Sequence, residues 1–206
     1  MTRPWVHYLR SHGIVPSLVA VGGIVVVDVV AGGLVFNAGQ QEPVSVQLSA
    51  IVPALAAAAL LVLSGSRAPL VDALAARRLQ AHRLGLDIGL AGLTLIALWL
   101  FAPDASTTGP STAAGLRNLV GFVGIGWLAS ALTGNELAWI PGTFLAMVAT
   151  SVGLRPTAIT PAWSWILADD GDLGALTIAV GLAILGLAIR FSAVRLPGRR
   201  WLPTPS

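Results

Sequence analysis

The sequence predicts an all-α membrane protein with six transmembrane helices and both termini in the cytoplasm. Hydrophobic residues make up 55% of the 206 positions and charged residues only 10%, against about 25% charged residues in soluble domains. Because so few charges cannot cover a water-exposed surface, much of the bundle must face lipid. Six apolar stretches have near-spanning length, and the arginines are distributed asymmetrically between their connections.

The six predicted spans run about Val15–Phe36, Val44–Leu63, Leu84–Phe101, Ala113–Leu132, Leu137–Leu154 and Leu173–Phe191. The second is the clearest, because no charge lies between Pro43 and Ser66. The fifth contains Pro141-Gly142, which predicts a kink or a broken helix. Arg3 and Arg10 precede the first span as in a signal peptide, but its apolar run exceeds the usual run of about 7–15 residues. A retained helix is therefore favoured.

The arginines orient these spans. With six spans, one side carries Arg3, Arg10, Arg67, Arg77, Arg78, Arg83, Arg190, Arg195, Arg199 and Arg200. The opposite side carries only Arg117 and Arg155. Cytoplasmic connections are enriched in basic residues. This predicts cytoplasmic termini in a multi-pass membrane protein.

All 206 residues are predicted to form a single transmembrane domain with four non-spanning segments. Residues 1–13 are predicted to form an interfacial helix, because aromatic and basic residues alternate between Pro4 and Ser11. Residues 66–83 are predicted to form an amphipathic cytoplasmic helix. Residues 155–172 are too apolar for a solvated loop, which indicates an outer re-entrant or interfacial segment. Residues 197–206 are predicted to be a flexible tail.

Asp28 is the most informative candidate residue. It lies inside the first span, where a carboxylate costs about 2.5–3.5 kcal/mol. Arg117, near the outer end of the fourth span, is the natural partner at similar depth. Three interpretations stay open: a proton-coupling or substrate-coupling pair, a structural ion pair that joins two helices, or no pair, with Arg117 extending to the membrane interface and Asp28 hydrated.

The remaining charges suggest weaker sites. Asp87 follows Arg83 by four residues, which predicts an interfacial pair. Asp169, Asp170 and Asp172 form an outer acidic cluster, interpreted either as a cation site or as a helix cap with solvated neighbours. The glycines Gly85, Gly89, Gly121, Gly124 and Gly126 predict close helix approach.

The sequence lacks the residues that several functions require. The chain has no Cys, which excludes disulfides and thiolate chemistry. All twelve basic residues are Arg, so the Lys of a P-loop is absent. No catalytic motif or metal-ligand spacing is visible, and the charges form no nucleic-acid-binding face. The sequence therefore predicts a non-enzyme without cofactor, metal site or nucleic-acid partner.

The layout of spans and connections resembles the permease subunits of type-2 ATP-binding-cassette exporters. That family has six spans, a helix before the first span, a cytoplasmic coupling helix between spans two and three, and an outer re-entrant hairpin between spans five and six. The segments Pro4–Ser11, Pro69–Arg83 and Arg155–Asp172 occupy these three places. The segment from Gly115 to Gly121, followed by Trp139-Ile140-Pro141, is also similar to small actinobacterial proteins of this kind.

The resemblance implies a permease subunit of an ATP-driven exporter that forms a substrate path with a second permease. A separate P-loop ATPase, which would carry ATP and Mg, would contact Asp72, Ala76, Arg77 and Arg78 on the coupling helix. Two alternatives stay open. One is an accessory or assembly subunit of a larger membrane complex. The other is an ATP-independent secondary transporter that uses Asp28 and Arg117.

Overall fold

The computed structural model describes residues 14–31, 35–38, 44–47, 51–63, 77–101, 112–152 and 162–195. In this part of the chain it contains six α-helices: α1 (Ile14–Ala31), α2 (Val52–Leu63), α3 (Arg77–Phe101), α4 (Thr112–Thr133), α5 (Ile140–Val152) and α6 (Leu173–Arg195). A 3-10 segment, Ala162–Leu167, lies between α5 and α6. The predicted interfacial helix 1–13 and the predicted tail 197–206 lie outside the described residues. The helical class predicted from the sequence is confirmed, and one helix lies in each predicted apolar stretch.

The connection between α1 and α2 corrects two predicted span boundaries. Strands β1 (Val35–Ala38) and β2 (Val44–Gln47) form an antiparallel pair in which Phe36 pairs with Val46. The second apolar stretch therefore contributes a strand followed by a helix of only 12 residues. The sequence Val-Ser-Val-Gln alternates β-branched and polar residues, a period that suits a strand and not a helix. Hydropathy alone did not reveal this alternation.

Helix α3 corrects the predicted coupling helix at 66–83. It is a continuous helix of 25 residues that begins at Arg77, so Arg77–Arg83 form its first two turns and do not belong to a separate interfacial helix. The sequence from Arg77 to Leu84 contains neither Gly nor Pro, and nothing there interrupts the backbone hydrogen bonds. Residues 64–76, which complete the predicted coupling helix, lie outside the described residues.

A tight turn joins α4 to α5. Gly134 has a φ of 81°, and its N–H donates to the carbonyl of Ser130 at 3.1 Å. This left-handed residue ends α4 because only glycine adopts that conformation without steric cost. Pro141 is the second residue of α5, where its missing N–H removes no intrahelical bond. The predicted kink or break at Pro141-Gly142 is therefore wrong, and the proline lies in the first turn of the helix.

Helix α4 is the centre of the bundle. It packs against α2, α3 and α5, and most extensively against α6. At the α4–α6 crossing, a Cβ added to Gly124 would lie 2.5 Å from the backbone nitrogen of Ala183. A Cβ on Gly126 or Gly121 would collide with Leu61 or Trp165, respectively. The predicted close approach at these three glycines is confirmed, whereas no atom of the described residues lies within 4 Å of a Cβ added to Gly85 or Gly89.

The exposed surface of the described residues carries many large apolar side chains, and the buried residues include many alanines. Many fully buried residues are small: Ala56, Ala57, Ala138, Ala146, Ala149, Ala175 and Ala179 are each at most 3% exposed. Large apolar side chains point outward, among them Leu132, Leu173, Val19, Phe144, Met147 and Ile184. Small residues inside and large apolar residues outside are typical of helices that pack in lipid, and exposed apolar patches on this scale are unusual in soluble monomers.

Helix length and composition identify two helices that could cross a membrane. These are Ala113–Thr133 and Leu173–Ser192, within α4 and α6. The other apolar segments, Leu18–Val27, Val52–Val62, Leu84–Leu100 and Ile140–Ser151, are shorter. At about 1.5 Å per residue, the 12-residue α2 and 13-residue α5 extend about 18–20 Å, less than the roughly 30 Å of a hydrocarbon core.

Candidate functional site

A cluster of four polar side chains, Asp87, Ser130, Asn135 and Arg190, joins four segments of the bundle. We call it the Asp87 cluster. The Nη2 of Arg190 donates to Oδ2 of Asp87, and its Nη1 donates to Oγ of Ser130 at 2.9 Å and to Oδ1 of Asn135 at 3.2 Å. The Asp87 side chain is only 5% exposed and that of Arg190 17%. A single guanidinium therefore connects α3, the end of α4, the α4–α5 turn and α6.

Local structure positions each member of this cluster. Asp87 lies in the third turn of α3 and Arg190 in the next-to-last turn of α6. Ser130 lies in the last turn of α4. The left-handed turn at Gly134 follows, and it is succeeded directly by Asn135, so Ser130 and Asn135 both reach the same guanidinium. A buried charge in an apolar bundle is stable only when it is paired and hydrogen-bonded, and this arrangement supplies both conditions for Arg190.

The sequence-based interpretation of Asp87 missed this pairing. We expected Asp87 to pair with Arg83 on its own helix; Asp87 is instead buried and pairs with Arg190, 103 residues later in the chain. The Arg83 side chain lies outside the described residues. A signal was available, because Asp87 and Arg190 each interrupt an apolar stretch near its predicted cytoplasmic end. Two opposite charges at the same depth are candidates for a pair.

The second carboxylate oxygen of Asp87, Oδ1, is buried and has no hydrogen-bond partner among the described residues. Asp87 is also one of the residues around a cavity of about 10 Å³, whose other lining side chains are apolar: Leu60, Leu61, Leu90, Ala91, Val123 and Trp127. That volume is about the smallest that holds one water molecule. A buried acceptor without a donor is costly and indicates an unfilled role.

A second polar cluster lies at the other end of α4, and we call it the Arg117 cluster. The guanidinium of Arg117 donates to the backbone carbonyls of Ala168 and Asp169, both at 2.9 Å. The amide of Asn118 donates to the carbonyl of Ile166 at 2.7 Å. These donors bind carbonyls at and just after the end of the 3-10 segment, where no continuing helix supplies N–H donors.

The Arg117 cluster gives the predicted outer segment a definite structure. Trp165 and Ile166 are 4% and 2% exposed, and the Trp165 ring lies 5.7 Å from that of Phe122 on α4. Gly121 makes room for the indole ring. The described part of 155–172 therefore folds back into the bundle against α4, and residues 153–161 lie outside the described residues.

The predicted pair of Asp28 and Arg117 stays a prediction. The backbone of Asp28 lies in α1, but its side chain is outside the described residues. The contacts of Arg117 within the described structure are the two carbonyls and Oδ1 of Asn118, which accepts from Nε at 3.2 Å. Arg117 therefore has a structural role that the sequence did not indicate.

One residue of the outer acidic cluster, Asp172, caps α6. Oδ1 of Asp172 accepts from the N–H of Ala175 at 3.0 Å, which caps the helix. Asp169 and Asp170 are exposed, and no group of three or more potential metal ligands occurs among the described residues. Of the two interpretations, the structure provides the contacts of the cap. Of the predicted ATPase contacts, Asp72 and Ala76 lie outside the described residues, and Arg77 and Arg78 form the start of α3.

Known proteins provide no guide to this arrangement. Comparison with family models, curated proteins and solved structures finds no match. The resemblance to exporter permeases therefore stays a prediction.

The geometry itself shows what the site can do. The two clusters lie about 20 Å apart along α4, as the 13 residues from Arg117 to Ser130 imply. The Asp87 cluster connects α4 to α6, and the Arg117 cluster connects α4 to the segment directly before α6. The Arg117 cluster binds the backbone carbonyls of the segment before α6 and is a structural tie. The Asp87 cluster contains an ion pair and a buried carboxylate oxygen that has no hydrogen-bond partner among the described residues.

Proposed function

We propose that this protein is a multi-pass membrane protein with six spans and cytoplasmic termini. Many of its buried residues are small and many of its large apolar residues are exposed, as expected if lipid is the surrounding solvent. The buried polar groups of both clusters are used within the bundle and would not meet lipid. In this placement the Asp87 cluster lies toward the cytoplasm and the Arg117 cluster toward the outside.

We further propose that it acts as a permease subunit of an ATP-driven exporter. The observation that carries this proposal is the 3-10 segment between α5 and α6, which inserts Trp165 and Ile166 against α4 instead of forming a surface loop. An outer segment that folds back between the last two spans is what the resemblance to exporter permeases implies. A second permease would complete the substrate path, and a separate P-loop ATPase would supply the energy.

The topology makes a first prediction. The chain has no cysteine, so a thiol reagent that labels a single-cysteine variant reports the accessibility of the introduced residue without background from other thiols. In intact cells, a membrane-impermeant thiol reagent should label Asp104→Cys and Asp170→Cys and should not label Ser66→Cys or Ser206→Cys. Permeabilised cells should label all four, which controls for reactivity. Labelling of Ser66→Cys and Ser206→Cys from opposite sides would exclude an even number of spans between them.

The partner ATPase makes a second prediction. A P-loop ATPase encoded beside this gene should co-purify with the detergent-solubilised protein and show ATPase activity. With the double variant Arg77→Ala/Arg78→Ala, most of the co-purifying ATPase should be absent, because these arginines lie in the predicted contact. The matched control is Arg199→Ala/Arg200→Ala, which removes the same charge from another predicted cytoplasmic segment and should retain it. Absence of any P-loop ATPase would contradict the exporter and favour the accessory subunit.

A further inference from the structure

We propose that Arg190 is a positioning residue that couples α3 to the α4–α5 turn, so that a displacement of either one is transmitted to the other. The starting observation is that the two terminal nitrogens of one guanidinium bind different parts of the chain. Nη2 donates to Asp87 on α3, whereas Nη1 donates to Ser130 at the end of α4 and to Asn135 in the turn. This inference goes beyond transport by an exporter, since it requires neither an ATPase nor a second permease.

The guanidinium makes this connection stiff. Its donors lie in one plane and form a fork whose directions are fixed relative to each other. Asp87 and Asn135 bind this fork from α3 and from the turn, so neither can shift far unless the other follows or a hydrogen bond breaks. The Asp87 side chain is only 5% exposed, and separation of a buried ion pair is strongly unfavourable. Joint movement is therefore the more favourable response.

Helix α3 can carry a displacement to Arg190 because it is one continuous helix that begins at Arg77. Asp87 lies about 15 Å along the helix from that start. Among the described side chains, α3 buries one stripe whose polar members are Asp87 and Thr94. Thr94 donates to the carbonyl of Leu90 on its own helix, whereas Asp87 binds another helix. In the described part of the chain, Asp87 therefore provides the side-chain hydrogen bond that attaches α3 to its neighbours.

The α4–α5 turn can follow because its other hydrogen bonds are local. The N–H groups of Gly134, Ala138 and Ile140 donate to carbonyls within the turn or at the end of α4. Among the described residues, the hydrogen bond from Arg190 to Asn135 is the one that joins the turn to a distant part of the chain. A shift of Asp87 therefore reaches the turn through a single group.

The first test displaces α3 and measures the turn, with the purified full chain in lipid nanodiscs. Ala91→Phe adds a ring where the cavity between α2, α3 and α4 has a volume of only about 10 Å³, so it should push α3 outward by about 1–2 Å. Because the chain has no cysteine, pairs of spin labels can report two distances. They join Leu176→Cys on α6 to Ile88→Cys on α3 and to Glu136→Cys in the turn, all at exposed positions. We expect both distances to change.

The same measurement without the connecting group tests the role of Arg190. In the Asp87→Asn/Arg190→Met background, Ala91→Phe should still shift the α3 label, but the turn label should stay in place. The control is a label at the exposed position Trp163→Cys in the outer 3-10 segment, which Arg117 fastens and which should move in neither background. A turn that stays in place with Arg190 present, or that moves equally without it, would refute the proposal.

The second test runs in the opposite direction, from the turn to α3. Asn135→Ala removes the acceptor in the turn and should speed amide hydrogen exchange in the α3 segment around Asp87 about threefold. This effect should vanish in the Asp87→Asn/Arg190→Met background. The matched control is Thr133→Ala, which should leave the exchange unchanged, because the Thr133 hydroxyl donates to carbonyls within α4 and the turn. Equal exchange in the wild-type and Asn135→Ala chains would show that the turn does not act on α3. Neither measurement involves an ATPase, so this proposal and the exporter proposal fail separately.

Discussion

Replacing Arg190 with Met is expected to destabilise the protein by about 3 kcal/mol or more, the largest single effect we predict outside the helix crossing. Methionine preserves much of the apolar stem but removes the guanidinium that binds Asp87, Ser130 and Asn135. Asp87 is then a buried carboxylate without a counter-ion, and it must either stay charged at high cost or take up a proton. The free energy or midpoint of unfolding in mild detergent measures the loss.

The double variant Asp87→Asn/Arg190→Met is the control for this interpretation. If the unpaired charge causes most of the loss, the double variant should be more stable than Arg190→Met alone, because replacement of a whole ion pair is often nearly neutral. Exposed Glu136→Gln should have little effect and controls for removal of a charge in general. If the double variant is instead less stable than Arg190→Met, loss of the unpaired charge does not explain the result. Packing of the Arg190 stem would then be the cause of the destabilisation.

Replacing Gly124 with Ala is expected to separate α4 from α6 and to destabilise the protein by about 3 kcal/mol. The added Cβ would lie 2.5 Å from both the backbone nitrogen of Ala183 and the carbonyl carbon of Leu182. Backbone atoms of a packed helix cannot rotate away as a side chain can, so the helices must move apart. Gly186 faces the same crossing, and a Cβ there would lie 2.6 Å from the carbonyl oxygen of Gly124.

Gly115 provides the matched control for Gly124. It lies on the same helix, but a Cβ there has no neighbour within 4 Å. Gly115→Ala should therefore leave stability unchanged or raise it by up to about 1 kcal/mol, through the helix propensity of alanine. Thermal unfolding of the two variants in the same detergent compares the effects. A similar stability for both would show that the helices do not cross closely at Gly124.

The positions of the helices could be predicted from the sequence because they follow from local composition. Each α-helix lies in a predicted apolar stretch, and the glycines of α4 indicated where helices approach. The prediction failed where two local signals competed. At Val44–Gln47, high hydropathy suggested a span, but alternation and β-branching produced a strand that pairs with β1. At Pro141, a helix breaker proved to be a helix start.

The candidate site was less predictable than the fold. Asp28 and Arg117 were selected because each is a charge within a span, yet the contacts described for Arg117 are to the carbonyls of Ala168 and Asp169 and to Asn118. Carbonyls carry no sequence signature, so no inspection of side chains could identify these partners. Asp87 was assigned to a neighbour four residues away because local pairs are visible in sequence and distant ones are not.

The sequence by itself determined that the chain forms apolar helices and, apart from the end of α1 and the starts of α2 and α3, where they lie, since these properties depend on the residues within each segment. Only the tertiary structure decided which charges meet. The pairing of Asp87 with Arg190 and the carbonyl contacts of Arg117 depend on how α4 packs against α3, α6 and the 3-10 segment. The physical reason is that a buried charge is stabilised by whatever group the fold brings within a few ångströms, regardless of its distance along the chain.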